Sequence, residues 1–155
     1  MKFDWKKLLI ALTIPVAVGG LSGLLSGGMS EYAQLNRPPL SPPGWVFPVV
    51  WLVLYLLMGY ASYRIYMSDA PKEQKKQALT LYAVQLVLNF LWSPVFFGLQ
   101  WRLAAFAVLI ALWIMVALTL RAFSKIDETA ADLLLPYILW ITFAAYLNLG
   151  AYLLN

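Results

Sequence analysis

The stretch R-P-P-L-S-P-P-G-W-V-F-P-V-V-W-L-V-L-Y, Arg37 to Tyr55, decides how the chain is read. Pro38, Pro39, Pro42 and Pro43 each fix φ, remove a backbone donor and push the preceding residue out of the α region. The first half is therefore a stiff, extended loop. Gly44 supplies a bend, and Trp45, Phe47 and Trp51 then recur at near-helical spacing inside an apolar run. Two readings of this junction stand: a lid over a pocket, or a stiff connector with tryptophans anchored at a membrane interface.

The composition around it selects the solvent. The 155 residues are 63% hydrophobic and 12% charged, with a mean hydropathy of +0.76. A water-soluble domain of this size has too little interior to hide that much apolar surface. A membrane span needs about 20 mostly apolar residues, and five such runs fit: Leu8–Gly27, Trp45–Tyr66, Leu79–Gly98, Leu103–Leu120 and Leu133–Leu154. None alternates as the strands of a membrane β-barrel do. The expected fold is an all-α membrane protein, a single domain over residues 1–155. It is a bundle of five transmembrane helices with a long proline-rich loop, Gly28–Gly44, between the first two.

Several chemistries drop out. The chain has no cysteine and no histidine, which removes disulfides, thiolate chemistry and the commonest metal ligand, haem ligand and proton shuttle. No metal site and no cofactor are expected. The net charge of +4 does not point to nucleic acid, because the basic residues sit at helix ends. Lys2, Lys6, Lys7, Arg64, Lys72, Lys75, Lys76, Arg121 and Lys125 fall on the side of the N-terminus, and only Arg37 and Arg102 fall opposite. That asymmetry predicts the N-terminus inside and the C-terminus outside. The lysines before Leu8 resemble a signal peptide, but the run is long, lacks an A-x-A site and precedes four more spans.

Each span has its own signature. Helix 1 carries Gly19, Gly23 and Gly27 at four-residue spacing, with Ser22 and Ser26 beside them. Such a stripe lets another helix approach closely, within the chain or in a dimer; the tight seams of a five-helix bundle favour the first. Helix 2 places Trp51, Tyr55, Gly59 and Ser62 on one face. Ser68-Asp69-Ala70-Pro71 reads as the start of helix 3. In helix 3, Gln85, Asn89, Trp92 and Ser93 form a polar stripe, and Pro94 is expected to bend the helix. Amides in lipid must be hydrogen-bonded, so the stripe is either interhelical glue or a ligand site. Helix 4 is nearly uniformly apolar and is read as lipid-facing support. Asp127-Glu128-Thr129 and Asp132 open helix 5, their acidic groups complementing its dipole and Thr129 with Asp132 resembling a capping box; further on, Trp140, Ala144 and Asn148 share a face.

Three blocks then resemble one family. P-P-L-S-P-P-G-W-V-F-P-V-V-W-L-V-L-Y-L-L-M-G-Y-A-S-Y from Pro38, Q-L-V-L-N-F-L-W-S-P-V-F-F-G from Gln85, and L-L-P-Y-I-L-W-I-T-F-A-A-Y-L-N from Leu134 are similar, in order, to blocks of the translocator protein or tryptophan-rich sensory protein (TspO) family. These are the peripheral benzodiazepine receptors. The resemblance covers nearly the whole chain. It implies a five-helix bundle that dimerises, with a cavity capped by the loop after helix 1. It also implies binding of porphyrins such as protoporphyrin IX and of isoquinoline carboxamide and benzodiazepine drugs.

Carried over by motif, the ligand-binding candidates are Trp51, Asn89, Trp92, Trp140, Ala144, Leu147 and Asn148, with Gly23 and Ser26 from helix 1; Tyr55 joins them from the aromatic face of helix 2. The sterol motif that animal members carry at the end of helix 5 is absent, since Tyr152 is followed only by Leu153, Leu154 and Asn155. The short tail looks bacterial, so a bacterial cell membrane is the expected location.

Some family members break porphyrins down in light and oxygen. Trp51 and Trp140 are then the candidate catalytic residues, as oxidisable indoles; the plainer reading makes both cavity walls. Without His or Cys a haem iron lacks its usual ligands, so a metal-free tetrapyrrole is the better guest. Other readings are a transporter and a ligand-responsive sensor or scaffold. Ion coupling is disfavoured because no charged residue lies mid-span. The expected partners are a porphyrin, the lipid bilayer and a second copy of the chain.

Overall fold

The computed structural model describes residues 3–27, 32 and 34–155. Lys2 and, within the expected loop, residues 28–31 and 33 lie outside them. The described residues form helices and no strand: α1 (Trp5–Leu25), α2 (Val46–Tyr66), α3 (Lys72–Ser93), a π-helical turn Pro94–Gly98, α4 (Arg102–Ser124), α5 (Glu128–Leu133) and α6 (Leu135–Leu154). Five segments are long and apolar enough to cross a membrane, the third being α3 with its π turn and the fifth α5 with α6. This is the expected all-α bundle of five spans.

Local chemistry sets the ends. Asp4 caps α1, accepting from the Lys6 and Lys7 N–H groups at 3.1 and 3.2 Å. Gly27 leaves α1 at φ +80°, a conformation glycine adopts without penalty. The α3 start differs from expectation: Pro71 holds the cap position, while the Ser68 hydroxyl donates back to the Ile65 carbonyl. At the fifth span the cap is Asp127, which accepts from the Thr129 N–H at 3.0 Å. The Thr129–Asp132 box is displaced because Asp127 lies one residue before the helix. Pro136 then stands in the first turn of α6.

Pro94 does more than bend α3. Lacking an N–H, it cannot bond the carbonyl four residues back, and that carbonyl, on Phe90, instead accepts from the Ser22 hydroxyl of α1 at 2.8 Å. The backbone widens beyond it, with Leu99 N–H bonding the Pro94 carbonyl at 2.9 Å.

The helices close in the order α1, α2, α5/α6, α4, α3 and back to α1. α4 is not only lipid-facing. Ala105, Leu109, Leu112, Val116, Thr119 and Phe123 form a buried stripe packed between α3 and α6, while Leu103, Ile114 and Leu118 stay exposed. Uniform apolarity conceals this split, since lipid and protein interior accept the same residues.

At the end holding the N-terminus, the Arg64 Nε donates to Asp127 Oδ2 at 2.8 Å, joining α2 to the start of α5. Burial raises the Asp127 carboxyl. The Arg64 hydrogen bond and charge, with the N–H groups of Thr129 and Ala130, outweigh that and hold it below the ordinary carboxylate value.

At the other end the proline loop lies against α6. A Cβ on Gly150 would stand 2.5 Å from Pro38 Cγ, so only glycine lets the ring sit there. The Tyr146 hydroxyl donates to the Pro39 carbonyl at 2.6 Å. Asn155 accepts from the Asn36 N–H at 3.2 Å and donates to the Asn36 carbonyl at 2.9 Å.

Candidate functional site

A cavity of about 390 Å³ lies between α1, α2 and α3 in the half of the bundle nearest the loop. Gly19, Gly20 and Gly23 of α1, with Ser26 at its C-cap, form one side; Phe47, Pro48, Trp51, Leu52 and Tyr55 of α2 form the other. Asn89, Trp92 and Ser93 of α3, with Phe97, close the back. A second space of only about 30 Å³, little more than one water's share of liquid volume, lies directly under the loop. It is lined by Arg37 and Pro38 above and by Ala144, Leu147 and Asn148 below, and it shares the Phe47–Trp92–Phe97 wall with the first.

The ten sequence candidates thus divide. Gly23, Ser26, Trp51, Tyr55, Asn89 and Trp92 line the larger cavity. Ala144, Leu147 and Asn148 line the smaller one, which Trp92 also touches. Trp140 lines neither. Its ring stands 6.4 Å from Trp51 and 5.8 Å from Phe47, nearly perpendicular to Trp51, and faces an outer groove between α2 and α6. Its indole N–H is buried without a hydrogen-bond partner.

The polar stripe of α3 is knitted into the bundle. Trp51 stacks on Tyr55 at 5.6 Å between centroids. The Tyr55 hydroxyl donates to Asn89 Oδ1 at 2.7 Å, Asn89 Nδ2 donates to the Tyr137 hydroxyl at 2.8 Å, and Tyr137 donates to Gln85 Oε1 at 2.6 Å. Gln85 ends the chain on the Met58 sulfur at 3.9 Å. A second chain runs from Trp92 Nε1 to Asn148 Oδ1 at 2.8 Å and from Asn148 Nδ2 to the Arg102 carbonyl at 2.9 Å. Both asparagines therefore have partners within the protein, as low-dielectric surroundings demand. Their remaining amide capacity borders the cavities.

Sequence reading passed over several residues that shape the site. Phe97 forms the partition with Phe47, which the Trp45–Phe47–Trp51 spacing marks in the sequence though not as a site residue. Tyr137 completes the network, but no motif marks it as paired with Asn89. Ser22 binds the carbonyl that Pro94 frees, a partnership across 68 residues that no local pattern encodes. The cavity holds no cluster for a metal: among the described residues no three acidic groups gather.

Comparison with known proteins agrees with this architecture. A family model described as the TspO/MBR family matches residues 11–153. The chain is 41% identical over its full length to a tryptophan-rich sensory protein of Cereibacter sphaeroides, covering 95% of that protein. It is 36% identical to the tryptophan-rich protein TspO of Chlorobaculum tepidum, over 96% of this chain and 94% of that one. It is 38% identical to the translocator protein of Ovis aries, over 90% and 85% respectively. The chain belongs to the TspO/MBR family.

Proposed function

We propose that this protein binds a flat, largely apolar tetrapyrrole, metal-free protoporphyrin IX or a close analogue, in the cavity between α1, α2 and α3. The observation that carries the reading is the pairing of a cavity of about 390 Å³ with tryptophans on two of its walls, Trp51 and Trp92. Its size falls within the usual range for organic ligands, about 300–1,000 Å³, and aromatic faces favour a flat aromatic guest. Isoquinoline carboxamide and benzodiazepine drugs fit the same description.

In this reading the bound chromophore absorbs light, oxygen is the oxidant and an indole at the cavity edge is the oxidisable protein group. Trp51 lines the cavity, so its role is direct. Trp140 acts only through Trp51, being one ring further out. Trp51→Phe is expected to leave dark binding largely intact and to slow breakdown more than Trp140→Phe does. Equal breakdown in both variants and the parent removes the catalytic role and leaves a binding protein.

The ring of basic residues at the N-terminal end of the bundle supports an N-terminus-inside orientation in a bacterial cell membrane. The family resemblance carries the homodimer, checked by mass measurement in detergent. The alternative is transport or ligand-responsive sensing. It keeps the cavity and needs no ion coupling, since among the described residues no carboxylate, lysine or arginine lines the space. A tryptophan-quenching titration with protoporphyrin IX, in the dark and then in light, tests the proposal. Saturable quenching displaced by an isoquinoline carboxamide supports binding; new absorbance bands on illumination support breakdown. Absence of saturation sinks both.

A further inference from the structure

We infer that the cavity is loaded sideways from the bilayer, through a wedge between α1 and α2, and that its ligands are molecules already dissolved in the lipid leaflet. This rests on the reading of the cavity as a tetrapyrrole site and adds where the guest comes from and which guests qualify.

The wedge follows from how α1 is held. Toward the N-terminal end α1 and α2 touch, because a Cβ on Gly59 would lie 2.6 Å from the Ala11 carbonyl oxygen. They touch again at Gly19, where a Cβ would stand 2.1 Å from the Tyr55 ring. Beyond Gly19 the partner of α1 changes. Ser22 binds the Phe90 carbonyl, the Ser26 and Ser93 hydroxyls meet at 2.7 Å, and a Cβ on Gly98 would lie 3.2 Å from the Leu25 carbonyl oxygen. α1 therefore leans onto α3 and away from α2. At Gly20 and Gly23 an added Cβ would meet nothing within 4 Å. Across the gap Pro48 and Leu52 are exposed.

The threshold lies in the membrane. Gly20 stands five residues before the end of α1, about 8 Å along the helix axis, and its exposed neighbours are Leu21, Leu24 and Leu25. Among the described residues no charged side chain lines the mouth or the cavity, so a guest must present an uncharged edge, since burying an unpaired charge there is costly. On the loop side, by contrast, the described residues are fastened down. Pro38 on Gly150, Tyr146 on Pro39 and the Asn36–Asn155 pair fasten it, and the space beneath is about 30 Å³.

Loading is measured by stopped-flow tryptophan quenching on the full chain in liposomes, with protoporphyrin IX delivered in donor vesicles or a sulfonated porphyrin delivered in water. Gly20→Phe narrows the threshold without a backbone clash. Gly20 also borders the cavity, so the readout is kinetic: a narrowed threshold slows association and dissociation together, several-fold, whereas damage to the site itself speeds dissociation. The double variant Tyr146→Phe/Asn155→Ala loosens the loop and is expected to leave the rate at the parental value. The sulfonated porphyrin is expected not to load. Parental rates in Gly20→Phe, faster loading in the loop variant, or saturation by the sulfonated porphyrin overturns the inference while leaving the binding site in place.

If no porphyrin quenches the parent, the tetrapyrrole reading fails and a second measurement still decides the wedge. The chain has no cysteine, so Gly23→Cys carries a single nitroxide. Relaxation by oxygen and not by a water-soluble nickel complex supports a lipid-facing mouth; relaxation by the nickel complex overturns it.

Discussion

The Tyr55 ring lies so close over Gly19 that a methyl group there would stand 2.1 Å from its edge. The ring cannot swing away freely, because its hydroxyl is bound to Asn89 and its face is stacked on Trp51. Gly19→Ala is therefore expected to cost about 1–3 kcal/mol, the usual range for overpacking. Gly23→Ala, which meets open space, is expected to be neutral or slightly stabilising. Thermal unfolding in detergent compares the two, and equal loss in both variants would contradict the seam described for α1 and α2.

Ser22 and Pro94 make a pair that a double-mutant cycle resolves. Ser22→Ala leaves the Phe90 carbonyl without its partner and is expected to cost about 1 kcal/mol. Pro94→Ala restores an N–H that can bond Phe90 within α3. In that background Ser22→Ala is expected to cost close to nothing. Additive losses would show that the serine is not there to satisfy the carbonyl.

Asn89 is the branch point of the buried network, between Tyr55 and Tyr137. Asn89→Leu leaves the Tyr55 hydroxyl without its acceptor and takes a donor from Tyr137, which keeps its own bond to Gln85, and is expected to destabilise by about 1–3 kcal/mol. Tyr55→Phe removes one hydrogen bond and is expected to cost less. Chemical or thermal unfolding gives the order, and Tyr55→Phe being the worse of the two would refute the branch-point role.

Asp127 ties stability to pH at the other end of the bundle. Its folded carboxyl is held below the ordinary value, so the stabilisation is fully present above the unfolded pKa of about 3.9 and is lost as pH falls through the lower, folded value. Asp127→Asn keeps a capping side chain but removes the charge facing Arg64. It is expected to cost about 1–2 kcal/mol at neutral pH and to flatten the pH dependence below pH 4. Unfolding followed from pH 7 to 3 reads both effects.

Much of this molecule is legible in the sequence for a physical reason. Spans are set by length and apolarity, and the runs around Trp51, Trp92 and Trp140 reveal themselves by composition alone. The face shared by Trp51, Tyr55 and Gly59 is legible because helical periodicity alone places them together. What is not legible depends on contacts between distant segments. Nothing in the uniform apolarity of α4 separates Leu112, which is buried, from Ile114, which is not. Nothing near Trp140 says that its ring falls behind Trp51 rather than beside it. The helix starts at Lys72 and Glu128 are legible from the residues around them, but several of those residues could cap, and nothing local says that Pro71 and Asp127 hold the cap positions.

The Tyr55–Asn89–Tyr137–Gln85–Met58 chain passes from α2 to α3 to α6 and back again, so the wall behind the cavity is one stitched sheet of side chains with no slack. On the proposed reading of the cavity, guests of different bulk are then accommodated at the rim, by the Phe47 ring and the splay of α1, and not at depth. Such a site works like a clip with a rigid spine and one yielding jaw: it would gauge how thick a molecule is at the lip while holding the buried edge of every molecule to the same depth.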